Sequence, residues 1–371
     1  MNILFACGGT AGHINPAVSL ARLFAARKPG SNILFVGAEN GMECSLVPKE
    51  GFALRTVRVS NLRRSLKWEA VKHNLKTAVT LPLAGRQSAA IIKEFKPDLV
   101  VGTGGYVCYP VLKQAAKLGI PTAVHESNAF PGLTTKALSR YVDLVMVGFE
   151  SSRAFYSHPE RVTVTGTPVR GDFFETTREE ARRKLNLTGD KPLLVSFWGS
   201  LGASVMNGHM ADFIGSECSE GAPFYHIHGA GNGYAALTGS LRDRGISLPE
   251  GVEVREYIYD MPLVMAAADL VLCRAGASTI SELTAISKPA ILVPSPNVTS
   301  DHQTKNAKVL EKAGGVILLP ESECGEGKLF KAAAELLGDA PRRRRMAEAM
   351  GALGAPDAGE KIYASLLKLV H

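Results

Sequence analysis

The stretch Asn2-Ile3-Leu4-Phe5-Ala6-Cys7-Gly8-Gly9-Thr10-Ala11-Gly12-His13 decides the fold. An unbroken apolar run passes straight into a glycine-rich turn, and an amphipathic segment at 16–26 follows. A run with no polar alternation fits a strand buried on both faces. The same plan returns at Leu193-Leu194-Val195-Ser196-Phe197-Trp198-Gly199-Ser200-Leu201-Gly202-Ala203-Ser204. Around these two openings, strand-like runs at 33–36, 99–101, 122–125 and 144–147, then at 224–227, 252–255, 270–273, 290–293 and 316–319, alternate with helical stretches. Such alternation predicts an α/β chain with parallel sheets covered by helices. The echo predicts two doubly wound domains in tandem, with a linker near the turn formers at 166–171. Ligands of such sheets bind at the carboxyl ends of the strands, so a cleft between the domains is the expected site.

Length agrees, because 371 residues is room for about two domains. With 46% hydrophobic and 21% charged residues the chain is neither disordered nor fibrous. The net charge of +7 calls for a polyanionic partner: nucleic acid, a membrane surface or a phosphorylated ligand. A strand starting at the second residue leaves no room for a leader. The longest uncharged stretch, 192–211, carries Pro, Gly, Asn and His and does not read as a membrane span. Six scattered cysteines without a CxxC fit reduced thiols, with Cys7, Cys108 and Cys273 expected as buried packing residues beside strand ends.

Three glycine turns follow strands, at 8–12, 102–105 and 199–202. Glycine lets backbone amides face an anion, and a helix starting just beyond adds its positive end. None of the three matches the P-loop or the GxGxxG dinucleotide pattern, which disfavours a P-loop ATPase and a nicotinamide enzyme. In Cys273-Arg274-Ala275-Gly276-Ala277-Ser278-Thr279-Ile280-Ser281-Glu282, Arg274 and the following amides suit phosphate oxygens. Glu282 suits a ribose diol, although a solvated helix glutamate explains it equally well. His13, at the end of the first glycine loop, is the candidate general base, since imidazole accepts a proton near pH 7. A packed or capping histidine is the alternative. No HExxH and no DxD pair points to a bound metal.

Taken together, GGTAGH at 8–13, GTGGY at 102–106, HESNAFPG at 125–132, GTPVR at 166–170, GSLGAS at 199–204, CRAGASTISE at 273–282 and DHQTKNA at 301–307 resemble the MurG family. These are the peripheral-membrane N-acetylglucosaminyltransferases of bacterial peptidoglycan synthesis, and the motifs cover nearly the whole chain in order. The resemblance implies a GT-B fold: two Rossmann-like domains facing a deep cleft. It divides the chain into an acceptor- and membrane-facing domain at 1–163, a UDP-GlcNAc-binding domain at 164–345, and a C-terminal helix at 346–371 packing back on the first domain.

It implies metal-independent, inverting transfer of GlcNAc from UDP-GlcNAc to the C4 hydroxyl of MurNAc in lipid I, without a cofactor. It places His13 as base and Thr10, Gly12, Asn128, Arg170, Ser200, Ile258, Arg274, Ala277, Glu282, Gln303 and Thr304 around the donor. Of these, the Ile258 backbone would read uracil, Glu282 the ribose, and Gln303 the sugar hydroxyls. Gly9, Gly12, Gly104 and Gly105 would cradle the acceptor diphosphate. The family pattern has Gly where this chain has Ala11, and Gln where it has Ser127; Trp198 brings bulk expected at the mouth of the third loop.

Within 62–85, Trp68, Val71, Leu75 and Val79 share one helical face, flanked by Arg63, Arg64, Lys67, Lys72 and Lys76. An ordinary helix packing its apolar stripe on a sheet has this pattern too. With a lipid-linked acceptor, the reading is contact of Arg63, Arg64, Lys67, Trp68, Lys72, Leu75 and Lys76 with an anionic membrane surface. The resemblance implies the cytoplasmic face of the cell membrane, and cell-wall and division complex proteins as partners. Basic residues without interleaved aromatics, in a chain with 7% aromatics, argue against nucleic acid. A GT-B transferase with another glycolipid acceptor, a UDP-GlcNAc epimerase and a non-catalytic nucleotide-sugar-binding scaffold stay open.

Overall fold

The structure, a computed structural model, describes residues 1–60, 68–199, 202–298 and 301–370, and within 69–79 the side chain of Lys72 alone. The chain forms two compact units, Met1–Arg170 with Ala355–His371, and Gly171–Gly354.

The first unit holds a sheet of seven parallel strands, β1 (Asn2–Ala6), β2 (Asn32–Ala38), β3 (Ala53–Val57), β4 (Leu99–Gly102), β5 (Thr122–Glu126), β6 (Leu144–Val147) and β7 (Val162–Val164), in the order β3-β2-β1-β4-β5-β6-β7. Its helices include α1 (Ala11–Arg27), α2 (Glu43–Lys49), α3 (Trp68–Phe95), α4 (Cys108–Lys117) and α5 (Leu133–Leu138). Successive side chains of a strand face opposite sides of the sheet. In β1, Ile3 and Phe5 pack with Ile14, Leu20 and Phe24 of α1, while Leu4 and Ala6 pack with Val111, Leu112 and Ala115 of α4. Both faces are therefore dry, as the unbroken apolar run requires. Phe5 stacks on Phe35 at 5.4 Å and meets Phe24 edge-on at 6.4 Å; a cavity there would cost roughly 3–5 kcal/mol.

The second unit repeats the plan with six parallel strands, β8 (Leu193–Phe197), β9 (Tyr225–Gly229), β10 (Val252–Arg255), β11 (Leu270–Cys273), β12 (Ala290–Leu292) and β13 (Val316–Leu318), ordered β10-β9-β8-β11-β12-β13. Its helices are α6 (Arg178–Lys184), α7 (Ser204–Ser219), α8 (Tyr234–Asp243), α9 (Met261–Ala267), α10 (Ala277–Ala285), α11 (His302–Lys312), α12 (Lys328–Gly338) and α13 (Ala340–Leu353). The last helix, α14 (Ala358–Leu367), belongs to the first unit. Its Ile362 and Leu366 are fully buried in the α1 cluster, and Tyr363 meets Phe24 at 4.7 Å between ring centroids.

The unit boundaries differ from the expected 163/164 and 345/346. The first lies at Arg170, and the chain returns only at Ala355. Met346 and Met350 explain the later return, because both are buried in the second unit, Met350 with its Sδ lying over Gly315. Two strands were not anticipated: the edge strands β3 and β7. Arg55 and Thr56 of β3 are exposed, so an edge strand lacks the unbroken apolar run of a central one. Among the described residues no helix is long and apolar enough to cross a membrane.

In each sheet the strand order reverses beside the opening strand, between β1 and β4 and between β8 and β11. The registers Ala6↔Gly102 and Phe197↔Cys273 end each of these pairs level. Each switch point thus sets two strand-to-helix turns side by side, where ligands of open α/β sheets bind.

Candidate active site

At the first switch point the turns after β1 and β4 are in backbone contact. Gly105 has φ +89, and a Cβ there would overlap the Gly8 carbonyl. Gly104 has φ +114, and its Cβ would lie 2.5 Å from His13 Cδ2 and 3.0 Å from Nε2. Only glycine gives both the left-handed backbone and the space. His13 sits in the first turn of α1, its Nδ1 3.0 Å from the Gly8 carbonyl oxygen and 3.4 Å from Thr10 Oγ1. A carbonyl only accepts, so the contact with Gly8 requires the proton on Nδ1, and in the neutral ring the lone pair is then on Nε2. The Thr103 hydroxyl donates to the His13 carbonyl at 2.7 Å and ties the second turn to the same residue. Ala11 opens α1 without positive φ, so the glycine usual in the family is not needed there.

Gly9 does not offer its amide outward as expected. Its N–H donates to Glu43 Oε2 at 3.1 Å, while Ala38 N–H donates to Glu43 Oε1 at 2.7 Å. Glu43 is fully buried and packs so tightly on Gly8, Gly37 and Gly41 that none has room for a Cβ. Sequence reasoning missed this residue, since a glutamate opening a helix ordinarily faces solvent. It also missed Tyr106, whose ring lies against Gly9. Burial and then the Glu43 charge push the Tyr106 phenol up.

The segment 125–132 leaves β5 at the same sheet edge. Buried Glu126 accepts from Asn128 N–H at 3.1 Å, Asn128 Nδ2 at 2.8 Å and Gly132 N–H at 2.9 Å, which fixes the Asn128 amide. The Ser152 hydroxyl contacts the carbonyls of Asn128 and Ala129. His125 is buried, which lowers its pKa, and its Nε2 is 2.9 Å from the Gly166 carbonyl. Ser127 Oγ is 3.4 Å from His125 Nδ1, so the family's missing Gln is replaced by an inward hydroxyl. Arg170 ends the first segment of this unit, beside Val169, whose carbonyl accepts from Ser19 Oγ at 3.3 Å.

In the second unit, Gly276 caps α10 and Ala277 opens it, directly beyond β11. First-turn amides of a helix have no intrahelical acceptor, and with the helix dipole they suit an anion. Glu282 lies five residues further along α10 and is half-buried. Ile258 is 4% exposed, its side chain packed over Gly229 at the end of β9. That holds the backbone of 258 over the carboxyl edge of the sheet. Gln303 Oε1 accepts from Ser295 N–H at 2.8 Å, which fixes the side-chain amide.

Three residues of this unit differ from expectation. Arg274 is committed to an ion pair with Glu321 and donates to the carbonyls of Val293 and Pro294, each at 3.2 Å. It thus ties β11 to the end of β12 and to Glu321 instead of facing a phosphate. The Thr304 hydroxyl, in the first turn of α11, donates to Asp301 Oδ1 at 2.6 Å. Trp198 is 3% exposed and packed in the core, with Arg274 over its ring at 5.9 Å. Ser200 lies outside the described residues.

Sequence reasoning also passed over an HxH pair, His226 and His228 on β9, and both are fully buried. His226 Nδ1 meets Glu217 Oε2 at 2.7 Å, and Ser196 Oγ lies 2.7 Å from both His226 Nε2 and His228 Nδ1. The arrangement resembles a hydrolase triad, but its serine has no access to substrate. Burial, then repulsion from His226, pushes the His228 pKa down to about 3.

Of the basic segment, Arg63, Arg64 and Lys67 and the side chains of Leu75 and Lys76 lie outside the described residues. Trp68 opens α3 and is 74% exposed, with Lys72 exposed one turn on. The thiols of Cys7, Cys108 and Cys273 are fully buried, and burial pushes Cys108 up to about 12.

Residues 3–147 match the glycosyltransferase family 28 N-terminal domain, and residues 193–362 the family 28 C-terminal domain. The chain is 42% identical, over 98% of its length and 96% of the relative's, to the UDP-N-acetylglucosamine–N-acetylmuramyl-(pentapeptide) pyrophosphoryl-undecaprenol N-acetylglucosamine transferase of Acetivibrio thermocellus. It is equally identical, over 98% of both chains, to the protein of that name from Thermoanaerobacter sp.. The crystal structure of Acinetobacter baumannii MurG superposes with a TM-score of 0.76 at 25% identity, covering 99% of each chain. With these matches running the length of both sheets, the chain belongs to glycosyltransferase family 28, among the N-acetylglucosaminyltransferases of the MurG family.

Proposed function

We propose that this chain transfers GlcNAc from UDP-GlcNAc to the C4 hydroxyl of MurNAc in lipid I, giving lipid II and UDP, with inversion and without a metal ion. The observation that carries the reading is the His13 ring, whose Nδ1 is held by Gly8 and whose Nε2 keeps its lone pair. The acceptor hydroxyl passes its proton to Nε2 as its oxygen attacks the anomeric carbon. The bond from that carbon to the diphosphate breaks on the opposite face, and its electron pair leaves with UDP. Charge building on the diphosphate is met by the N-terminal amides of α10, Ala277 included, which are oriented before the reaction begins.

Around the donor, the Ile258 backbone takes uracil, Glu282 the ribose diol, and Gln303 and Asn128 the sugar, with Arg170, Ser200, Thr10 and Gly12 beside them. Gly104, Gly105 and Gly12 face the acceptor diphosphate, and the Gly9 amide serves the loop's own structure. The enzyme works peripherally at the cytoplasmic face of the membrane. Exposed Trp68 and Lys72 support this, since an aromatic ring at the interface and a cation near anionic lipid both favour binding. Cell-wall and division complex partners belong to the same proposal.

The test is incubation of the purified chain with UDP-GlcNAc and a lipid I analogue in detergent, measuring UDP and the disaccharide lipid together. Equal amounts of both are expected, with a loss of about 10²–10⁴-fold in turnover for His13→Ala and retained UDP-GlcNAc binding. No disaccharide lipid with lipid I, or product only with another glycolipid, refutes the assignment.

A further inference from the structure

The peptide joining Gly8 to Gly9 is held at both ends. Its N–H donates to Glu43 Oε2 at 3.1 Å, and its carbonyl accepts from His13 Nδ1 at 3.0 Å. No peptide among the described residues is cis. In a trans peptide the N–H and C=O point in opposite directions within one rigid plane. Fixing the N–H on Glu43 therefore aims the carbonyl at His13. The carboxylate cannot turn away: it is fully buried, its other oxygen holds Ala38 N–H at 2.7 Å, and Gly8, Gly37 and Gly41 close around it. Gly105 closes on the Gly8 carbonyl from the other turn.

We infer that Glu43 is a positioning residue for the transfer, acting on His13 through the Gly8–Gly9 peptide as a carboxylate–peptide–imidazole relay. A hydrogen bond from N–H to a carboxylate polarises the peptide, and its carbonyl becomes a stronger acceptor for the ring N–H. The relay selects the Nδ1–H tautomer and holds Nε2 toward the acceptor hydroxyl. It does the work of a carboxylate bonded directly to a catalytic histidine, with one peptide unit between. The two nitrogens of a histidine are set in this way by the partner of the other nitrogen. The inference rests on the reading of His13 as the base.

The experiment uses the full chain as wild type, Glu43→Gln, His13→Ala and the double variant. Turnover is followed as UDP and disaccharide lipid, and ring tautomers by nitrogen-15 histidine NMR, with His13 assigned by the signal missing in His13→Ala. Glutamine cannot accept both N–H groups, because one of its oxygens is replaced by a donor. Wild type should show His13 with its proton on Nδ1. Glu43→Gln should lower kcat about 10- to 100-fold while leaving the KM for UDP-GlcNAc unchanged. The double variant should be no slower than His13→Ala alone.

A proton on Nε2 in wild type, an unchanged kcat in Glu43→Gln, or losses that multiply in the double variant would each overturn the relay. The wild-type tautomer decides even if Glu43→Gln does not fold. A fully active His13→Ala would instead overturn the base assignment, which separates the two failures.

Discussion

Replacing Gly104 by alanine tests the positioning of the base while leaving His13 itself in place. The added Cβ would lie 2.5 Å from His13 Cδ2 and 3.0 Å from Nε2. Carbon atoms in contact settle at about 3.5–4.0 Å, so ring and loop must part by about 1 Å. Alanine at φ +114 adds backbone strain of about 1–3 kcal/mol. The ring is held at Nδ1 by Gly8, so displacement swings Nε2, the atom that must meet the acceptor hydroxyl. A misplacement of about 1 Å costs on the order of 10²-fold in rate. We expect kcat to fall by about that factor in the coupled UDP and disaccharide-lipid assay. UDP-GlcNAc affinity, measured by calorimetry, should hold, because the proposed donor-binding helix α10 lies in the other compact unit. A kcat equal to that of wild type, or a loss carried wholly by donor affinity, would refute the placement of His13.

Other residues separate binding from architecture. Glu282→Ala should weaken UDP-GlcNAc binding by roughly 10-fold, the worth of a charged hydrogen bond, and calorimetry showing unchanged affinity would remove Glu282 from the ribose. Arg274→Ala leaves the partly buried Glu321 without its partner and should cost roughly 1–3 kcal/mol of stability, read as a fall in Tm. A normal Tm with collapsed UDP affinity would return Arg274 to the diphosphate. His228, neutral and buried, has its pKa pushed down to about 3, against about 6.5 when unfolded. The unfolded chain therefore binds the extra proton first, and this contribution is complete above pH 6.5 and is lost as pH falls toward 3. Melting temperature should fall more steeply with acid in wild type than in His228→Asn between pH 6.5 and 4; parallel curves would show that His228 does not titrate on unfolding.

The central strands were legible because each is a run of apolar residues buried on both faces, as Ile3, Leu4, Phe5 and Ala6 are. The two switch points followed from the glycine turns that end them. The edge strands were not legible: β3 carries exposed Arg55 and Thr56 and is held by pairing to β2, a partner its own residues do not reveal. The position of His13 in its helix turn was local and could be read in advance.

Sequence by itself determined the class of fold, its doubling and the family, because periodicity and motif order are local properties of the chain. Tertiary structure decided where each polar group points. Gly9 finds its acceptor 34 residues away in Glu43, and Arg274 finds Glu321 47 residues away. A glycine loop written as a phosphate cradle can turn one amide inward, and an arginine written as an anion ligand can serve a partly buried carboxylate of its own chain. Hydrogen-bond partners are chosen by proximity in the folded chain, and a buried polar group takes whichever partner the packing brings to it.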